Sequence, residues 1–325
     1  MNADDPTMRA AVLVEPGHFR LENQSHKSLD PSQVRLRLEG TGICASDIPS
    51  FEGREWFDYP FEPGKPGHEG WGVVEEVGEA VDAFEPGDRV AALSYHTYAT
   101  HDVADASACV RLPDELDDIP FPGEPLGCAM NIFRRAGIRD GHTVAVVGIG
   151  FLGSLLTRLA ADAGARVIAI SRRETSRRFG EDFGATDTIA MEDQDAIIDQ
   201  VEQLTEGTLC DRVIECTGKQ WPLNLGAALT RVRGKLVVAG YHQDGARNVD
   251  MQMWNWRGLD VINAHERDRG VYLRGIRDAV DAVREGRLDP RPMFTHEYSL
   301  DEINDAFEAA RERPRGFMKA LVINP

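Results

Sequence analysis

Four candidate zinc-binding side chains stand within the first 124 residues. Cys44 offers a thiolate, His68 an imidazole, and Glu69 and Glu124 offer carboxylates. Zinc takes Cys, His and carboxylate ligands, and a catalytic zinc keeps one coordination position open for substrate. Each residue alone has an ordinary explanation, such as a buried free thiol for Cys44. Together they predict a metal site that could bind an alcohol or carbonyl oxygen.

The sequence Gly-Ile-Gly-Phe-Leu-Gly at 148–153 predicts a dinucleotide site. It follows a predicted strand and opens a predicted helix, which is the context that such a motif requires. Gly148 permits a tight turn, Gly150 lets the backbone approach a pyrophosphate, and Gly153 lets helix and strand pack closely. The first helical turn, with Phe151 and Leu152, would then direct free N–H groups at the anion.

The end of the next predicted strand indicates which dinucleotide is preferred. A carboxylate at this position would accept hydrogen bonds from the ribose 2′-hydroxyl and select NAD. The chain has Ser171, Arg172 and Arg173 instead, with Arg177 and Arg178 one turn further on. Guanidinium groups bind phosphate in a bidentate manner. The pattern therefore predicts a preference for NADP, with a solvated basic patch at a helix start as the alternative.

The segments that must position these residues change character along the chain. The first third contains short apolar or alternating runs separated by Pro and Gly, which predict strands. After about residue 123, strands alternate with helices, which indicates a parallel sheet and an α/β fold. The predicted strands are 8–14, 33–38, 72–77, 89–93, 143–147, 166–170, 186–190, 212–216, 236–239, 259–263 and 320–323. The predicted helices are 152–163, 193–204, 221–231, 271–286 and 300–313.

Composition narrows the class of protein. The 325 residues suggest two domains, and 54 acidic against 36 basic residues give a net charge of −18, which argues against nucleic-acid binding. No uncharged run is long enough to cross a membrane. The acidic N-terminus, 1–6, lacks the apolar core of a signal peptide, and five scattered cysteines do not form a disulfide framework. We therefore expect a cytoplasmic protein. The arginine-rich, lysine-poor charge pattern favours a GC-rich genome over salt adaptation.

Several short motifs occur in the order found in one enzyme family. They are Gly-Ile-Cys-Ala-Ser-Asp at 42–47, Gly-His-Glu-Gly at 67–70, Pro-Gly-Asp-Arg-Val at 86–90, Glu-Pro-Leu at 124–126, the glycine sequence, and Leu-Asp-Glu-Ile-Asn-Asp-Ala-Phe at 300–307. By these motifs the chain resembles, over essentially its whole length, a zinc-type medium-chain dehydrogenase/reductase, the group of alcohol, sorbitol, sugar and threonine dehydrogenases. The resemblance implies a mainly-β GroES-like catalytic domain at 1–122 and 267–325. It also implies a Rossmann domain with a parallel sheet at 123–266.

The resemblance also implies a ligand set. Cys44 and His68 match the zinc ligands, and Glu69 matches a ligand or near-ligand that some members exchange with water. Glu124 falls where the sorbitol dehydrogenase branch places a carboxylate near the metal. Cys128, four residues further on, is the alternative.

Five further residues receive roles by the same resemblance. Ser46 matches the hydroxyl that takes the alcohol proton, and Asp47 matches the carboxylate that orients the histidine ligand. Cys216, Thr217 and Gly240 match segments that line the nicotinamide side of the site.

Besides the missing carboxylate at the end of the strand before Ser171, the chain departs from the family pattern at two places. The family's structural-zinc lobe has four closely spaced cysteines, whereas residues 91–107 contain none and Cys109 stands alone. We therefore expect one zinc per chain at most. Pro49 occupies the position of a histidine that often relays the proton to solvent, so a ribose hydroxyl and water, Ser50 or His96 must complete the relay.

These features predict a zinc-dependent, NADP-preferring oxidoreductase that interconverts a secondary alcohol and its ketone. Polar and aromatic residues expected near the substrate favour a polyol or sugar, with a larger hydrophobic alcohol as the alternative. They are Arg54, Trp56, Phe57, Tyr95, His96, Trp254 and His265. A zinc-free NADPH reductase of quinones or enones and a non-catalytic NADPH-binding sensor are the rival hypotheses. Members of this family often form dimers or tetramers by pairing the edges of their Rossmann sheets, so the resemblance implies a homo-oligomer.

Overall fold

The computed structural model describes residues 7–324. The six N-terminal residues, on which the signal-peptide interpretation depends, and Pro325 lie outside the described residues. The chain divides into two compact units, one formed by residues up to Gly127 and from Tyr272 onward, the other by Cys128–Val271. The domain boundaries predicted after residues 122 and 266 fall about five residues before these divisions.

Strands and helices are numbered separately in chain order. The strands are β1 (Thr7–Glu15), β2 (His18–Ser25), β3 (Gln33–Gly42), β4 (Gly70–Val77), β5 (Arg89–Ala92), β6 (His101–Asp105), β7 (Cys109–Arg111), β8 (Thr143–Val147), β9 (Arg166–Ser171), β10 (Asp187–Ala190), β11 (Cys210–Glu215), β12 (Thr230–Val238), β13 (Asp260–Asn263), β14 (Phe294–Ser299) and β15 (Lys319–Ile323). The helices are α1 (Ile48–Phe51), α2 (Gly123–Ala136), α3 (Phe151–Asp162), α4 (Glu174–Asp182), α5 (Gln194–Leu204), α6 (Gln220–Leu229), α7 (Met251–Arg257), α8 (Arg269–Arg284) and α9 (Ile303–Glu312). None of the helices within 7–324 is long and apolar enough to cross a membrane.

The first unit is mainly β, as predicted. Its larger sheet has the order β14-β15-β3-β4-β5-β7, with β6 also paired to β3, and a separate hairpin joins β1 to β2. Alternate residues of β3, Val34, Leu36 and Leu38, are buried against Val74 and Val90. This period of two is what a sheet with one buried face requires. Strand β3 is central to this sheet and pairs with β15, β4 and β6.

The second unit contains a six-stranded parallel sheet in the order β10-β9-β8-β11-β12-β13. Val144–Val147 of β8 are completely buried, because helices cover both faces of a parallel sheet and its strands become continuously apolar. From β8 the chain first builds outward through β9 to β10, and then returns to place β11 on the other side of β8. The strand order thus reverses between β8 and β11, and ligands of such sheets bind at this switch point.

Several elements differ from the prediction. The predicted helix 221–231 ends at Leu229, because the buried Thr230 already starts β12. The predicted helix 300–313 opens with a tighter 3-10 turn at Leu300–Glu302, held by a capping box between Ser299 and Glu302. Strands β2, β6 and β14 were missed because their sequences, HFRLENQS, HDVAD and FTHEYS, are largely polar, and β7 was missed because it has only three residues.

Candidate metal and cofactor sites

The pairing of β3 with β4 brings three of the predicted metal ligands together. Thr41 near the end of β3 lies opposite Gly70 at the start of β4. Cys44 follows the first strand by two residues, and His68 and Glu69 directly precede the second. One potential ligand atom from each of these three residues lies within 4.8 Å of the other two. Antiparallel pairing at one sheet end therefore assembles a thiol, an imidazole and a carboxylate that are distant in sequence.

Lys319 is a neighbour of this cluster that sequence reasoning missed. Leu321 of β15 pairs with Gly42 of β3, so Lys319 at the start of β15 lies beside the residues that follow β3. Its ammonium donates to Oε1 of Glu69 at 2.7 Å, and both side chains are almost completely buried. Burial opposes the ammonium charge, but Glu69 and Cys44 outweigh it and raise the pKa of Lys319. The available signal was a lysine, one of five in the chain, opening the apolar strand Lys-Ala-Leu-Val-Ile.

The geometry of Glu69 fits a metal ligand. Its Oε2 is buried and has no hydrogen-bond partner within residues 7–324, although Nζ of Lys319 lies 2.5 Å away outside hydrogen-bond geometry. The Lys319 ammonium supplies one positive charge to this carboxylate, and Oε2 keeps lone pairs that no hydrogen bond uses. Gly42 leaves the space for it, since a Cβ there would overlap Oε2. A thiolate, an imidazole and this oxygen form a donor set that zinc accepts.

Asp47 contacts the histidine from behind. Nδ1 of His68 lies 3.4 Å from Oδ1 of Asp47 and 3.0 Å from the carbonyl oxygen of Pro66. The Tyr98 hydroxyl donates to Oδ2 of Asp47 at 2.5 Å, and Tyr98 is completely buried. Contacts to Nδ1 fix the ring and leave Nε2 to face a ligand. Tyr98 was not predicted, because nothing in its neighbourhood of the sequence marks it.

The same contacts set the ionisation of this group of residues. Burial raises the pKa of Asp47 to about 6, against the opposing effects of His68 and Tyr98. Burial also opposes the charge on His68, but Asp47 and Cys44 outweigh it and raise the pKa of His68 well above its usual value. A metal that binds His68 would therefore compete with a proton for the imidazole.

Glu124, the fourth predicted ligand, is not part of the three-residue cluster. It lies in the first turn of α2, and its Oε1 accepts a hydrogen bond from the Tyr272 hydroxyl of α8. Its charge nevertheless contributes to raising the pKa values of His68 and Lys319. Cys128 lies one turn further along α2, in the second unit, and is also outside the cluster.

Ser50 and His96, the two residues predicted as possible ends of the proton relay, make hydrogen bonds to backbone carbonyl oxygens. The Ser50 hydroxyl is buried and donates to the carbonyl oxygen of Asp47 at 2.6 Å. Nδ1 of His96 lies 2.9 Å from the carbonyl oxygen of Pro63, and His96 lines a cavity of about 140 Å³ together with His26 and His101. Neither Ser50 nor His96 belongs to the metal cluster, whereas Ser46 lies two residues after Cys44 in the turn that precedes α1.

The glycine sequence has the backbone that its predicted role requires. Gly148 has φ +100°, which favours glycine. A Cβ on Gly153 would overlap the carbonyl oxygen of Gly148, so helix α3 can approach β8 only with glycine at 153. A Cβ on Gly150 would meet nothing within 4 Å. Space thus remains where a pyrophosphate would approach the helix N-terminus, at Phe151 and Leu152.

Two of the arginines after β9, Arg177 and Arg178, bind neighbouring groups of the protein, whereas Arg172 does not. Nη1 of Arg177 donates to the carbonyl oxygens of Ser171 and Arg172, and Arg178 pairs with Glu174. Arg172 is exposed, and its guanidinium makes no hydrogen bond or ion pair to residues 7–324. Arg173 is half-buried immediately before α4. The carboxylate of Glu174 is thus engaged by Arg178 and leaves Arg172 available.

Residues predicted to line the nicotinamide side are packed closely against the glycine sequence. A Cβ on Gly148 would lie 2.5 Å from Cγ2 of Thr217, and one on Gly240 would overlap the amide nitrogen of Gly218. The Cys216 amide donates to the carbonyl oxygen of Val147 at 2.8 Å. The ends of β8, β11 and β12 therefore meet at the switch point of the sheet.

Two family models match separate ranges of this chain. The family model described as "Zinc-binding dehydrogenase" matches residues 152–277. The family model described as "Alcohol dehydrogenase GroES-like domain" matches residues 30–128. The sorbitol dehydrogenase of Gallus gallus is 28% identical over 360 residues, covering 97% of this chain and 96% of that protein. The sorbitol dehydrogenase of Halalkalibacterium halodurans is 25% identical, covering 94% of this chain and 96% of that protein.

A solved structure supports the same relationship. A crystal structure described as a zinc-binding dehydrogenase from Sinorhizobium meliloti 1021 bound to NADP superimposes with a TM-score of 0.84 at 27% identity. The match covers 98% of this chain and 100% of that chain. The predicted fold class, a Rossmann parallel-sheet domain with a mainly-β GroES-like domain, is thereby confirmed. The chain belongs to the zinc-type medium-chain dehydrogenase/reductase family.

Proposed function

We propose that this protein is a zinc-dependent dehydrogenase that interconverts a secondary alcohol, polyol or sugar-derived, and its ketone with NADP(H). The observation that carries the proposal is the cluster of Cys44, His68 and Glu69, in which one potential ligand atom from each residue lies within 4.8 Å of the other two. When bound, zinc would polarise the substrate oxygen, and the nicotinamide would exchange a hydride with the carbinol carbon. Cys44 and His68 would hold the metal, with Glu69 as third ligand and Glu124 as the carboxylate nearby.

Metal analysis of the purified protein tests this proposal directly. We expect about one zinc per chain after dialysis, because residues 7–324 offer one such donor set. NADPH and NADH titrations on the same sample would show which cofactor binds more tightly. Absence of zinc after gentle, chelator-free purification would contradict the proposal and favour the zinc-free NADPH reductase.

Ser46 is proposed to take the alcohol proton and Asp47 to orient His68. Replacing Ser46 by Ala should lower kcat about 10²- to 10⁴-fold, the usual contribution of a positioned acid–base group, while zinc content is retained. Ser50→Ala is the comparison variant and should lose much less, because the Ser50 hydroxyl donates to the backbone of Asp47. Turnover and zinc are measured on the same samples, and equal effects of both variants would remove Ser46 from the relay.

The preference for NADP is proposed to lie at Ser171, Arg172 and Arg173. Arg172 is exposed and its guanidinium is available to a phosphate, whereas no carboxylate ends β9. Replacing Ser171 by Asp together with Arg172 by Gln should shift the kcat/KM ratio toward NAD by about tenfold or more, since charge-assisted hydrogen bonds contribute about 1.5–3 kcal/mol. Arg158→Gln, on α3 and paired with Asp162, is the control for loss of a surface arginine. An unchanged ratio would refute the assignment.

A polyol or sugar-derived substrate is supported by the sorbitol dehydrogenases among the relatives. Within the first unit, the predicted pocket residues Trp56 and Tyr95 are exposed, and Arg54 is paired with Glu52. His96 instead lines the cavity with His26. A panel of polyols, sugars and their ketones, compared with long-chain secondary alcohols, would test the substrate class.

We further propose the organisation expected from the sequence: a catalytic domain at 1–122 and 267–325, a cofactor domain at 123–266, and one zinc per chain without a structural zinc. A cytoplasmic, homo-oligomeric enzyme is part of the same proposal. Support for a reducing compartment comes from the five cysteines, all of which are free.

A further inference from the structure

A buried carboxylate that the proposed chemistry does not use lies at the switch point of the parallel sheet. Glu215 is the last residue of β11 and is completely buried. Its Oε1 accepts hydrogen bonds from the Thr217 amide at 2.6 Å, the Gly218 amide at 2.9 Å and the Thr217 hydroxyl. One carboxylate oxygen thus determines the conformation of the turn at 216–218.

The second oxygen of Glu215 continues into a chain of hydrogen bonds. Its Oε2 lies 2.9 Å from Nε2 of His242, and Nδ1 of His242 lies 2.9 Å from Nε of Arg247. Arginine can only donate, so Nδ1 of His242 accepts, and Nε2 carries the proton that it donates to Glu215. The direction of every hydrogen bond from Arg247 to Glu215 is therefore fixed.

Arg247 connects this chain to the turn a second time. Its Nη2 donates to the carbonyl oxygen of Gly218 at 3.0 Å, and it also pairs with Asp244. Lys219 reaches Asp244 at 3.0 Å. The turn at 216–218 and the loop at 240–248 are consequently joined through side chains as well as by the close contact of Gly218 with Gly240.

This turn also contacts the glycine sequence, because Thr217 occupies the space beside Gly148. A shift of Thr217 would change the surface beside Gly148 at the switch point of the sheet, where a dinucleotide would bind. We infer that Glu215, His242 and Arg247 are positioning residues that hold the 216–218 turn in the conformation that binds the nicotinamide half of the cofactor. This inference rests on the proposed function, since it assumes that NADP(H) binds at the glycine sequence.

The test uses the fixed direction of the hydrogen bonds from Arg247 through His242 to Glu215. In Glu215→Gln, the side-chain oxygen can still accept from Thr217 and Gly218, but the amide nitrogen faces the Nε2–H of His242. His242 cannot exchange its tautomer, because Nδ1 must accept from Arg247. We expect the Kd for NADPH, measured by fluorescence titration, and the KM for NADPH to rise about tenfold or more, as unmade buried hydrogen bonds predict. The kcat at saturating NADPH should change far less.

Replacements at His242 and at Glu215 together provide the rescue. In Glu215→Gln/His242→Glu, the new carboxylate accepts from both the introduced amide and Arg247, so affinity should recover at least in part. His242→Gln keeps one acceptor and one donor and should bind NADPH nearly as wild type, whereas His242→Leu should not. Asp211→Asn is the matched control, because Asp211 stands at the opposite end of the same strand and binds Thr143 and Arg231.

Each outcome decides the inference. Weak NADPH binding by Glu215→Gln and His242→Leu, with recovery in the double variant and normal binding by Asp211→Asn, supports it. If Glu215→Gln does not fold, the comparison of His242→Leu with His242→Gln carries the same test. Equal NADPH affinity of these two variants, or of Glu215→Gln and wild type, overturns the inference while leaving the proposed function intact. Wild-type protein that binds neither NADPH nor NADH overturns both.

Discussion

Replacing Cys44 by Ser is expected to remove the zinc and reduce turnover by about 10³-fold or more. A serine hydroxyl is a poor substitute for a thiolate in the cluster with His68 and Glu69. Several kcal/mol of transition-state stabilisation depend on a metal that polarises the substrate oxygen, and each 1.36 kcal/mol is a factor of about ten in rate. NADPH affinity should remain close to that of wild type, because the glycine sequence lies in the other unit.

Cys109→Ser is the matched control for this prediction. Cys109 is a buried free cysteine in β7, outside the cluster, and its thiol donates to the carbonyl oxygen of Asp105. A hydroxyl can retain that hydrogen bond, so zinc content and activity should be kept. Elemental analysis, turnover and NADPH titration are made on both variants. Retained activity in zinc-free Cys44→Ser protein would exclude the zinc mechanism.

Replacing Lys319 by Met is expected to lower the free energy of unfolding of the metal-free protein by about 3–5 kcal/mol, the cost of leaving one buried charge without its partner. The ammonium of Lys319 pairs with Glu69, and both side chains are almost fully buried. Met conserves much of the lysine volume, so packing changes contribute little. Denaturant unfolding in the presence of a chelator measures this loss.

Two variants separate the charge effect from a packing effect. Lys319→Arg keeps a cation beside Glu69 and should lose less stability. Glu69→Gln/Lys319→Met removes both charges and should recover much of the loss, because replacing a buried ion pair by neutral groups is often close to neutral. Zinc should stabilise Lys319→Met more than wild type, since the metal gives Glu69 a new cation partner. Equal stability of Lys319→Met and wild type would show that the ion pair does not matter.

The features predicted correctly from the sequence are those encoded within one short segment. The glycine sequence, the strand before it and the helix after it are contiguous, and their apolar spacing is strong. Five of the six predicted strands of the parallel sheet begin within two residues of their prediction, and β12 begins earlier, because buried strands and turns are punctuated by Gly and Pro. The side chains of Cys44, His68 and Glu69, predicted as metal ligands from their residue types and from the resemblance of their motifs, lie together in the structure.

Polar strands and end positions were predicted less well. Strand β2 has few apolar residues, since much of its surface is only partly buried, and its pairing with β1 is what makes it a strand. Helix α6 ends where Thr230 begins strand β12. Pairing with neighbouring strands, rather than the local secondary-structure propensity, determines this end. Glu215 has no sequence pattern that marks a charged residue as buried.

Local sequence was enough to specify the two fold classes, the dinucleotide motif and the types of side chain available to a metal. Which of these side chains meet depends on the tertiary fold. Lys319 and Glu69 are 250 residues apart and become partners because β15 pairs with β3 beside β4. Tyr98 reaches Asp47, and His242 reaches Glu215, in the same way. Strand register and packing act over long sequence separations, so the partners that satisfy a buried charge cannot be read from the residues around it.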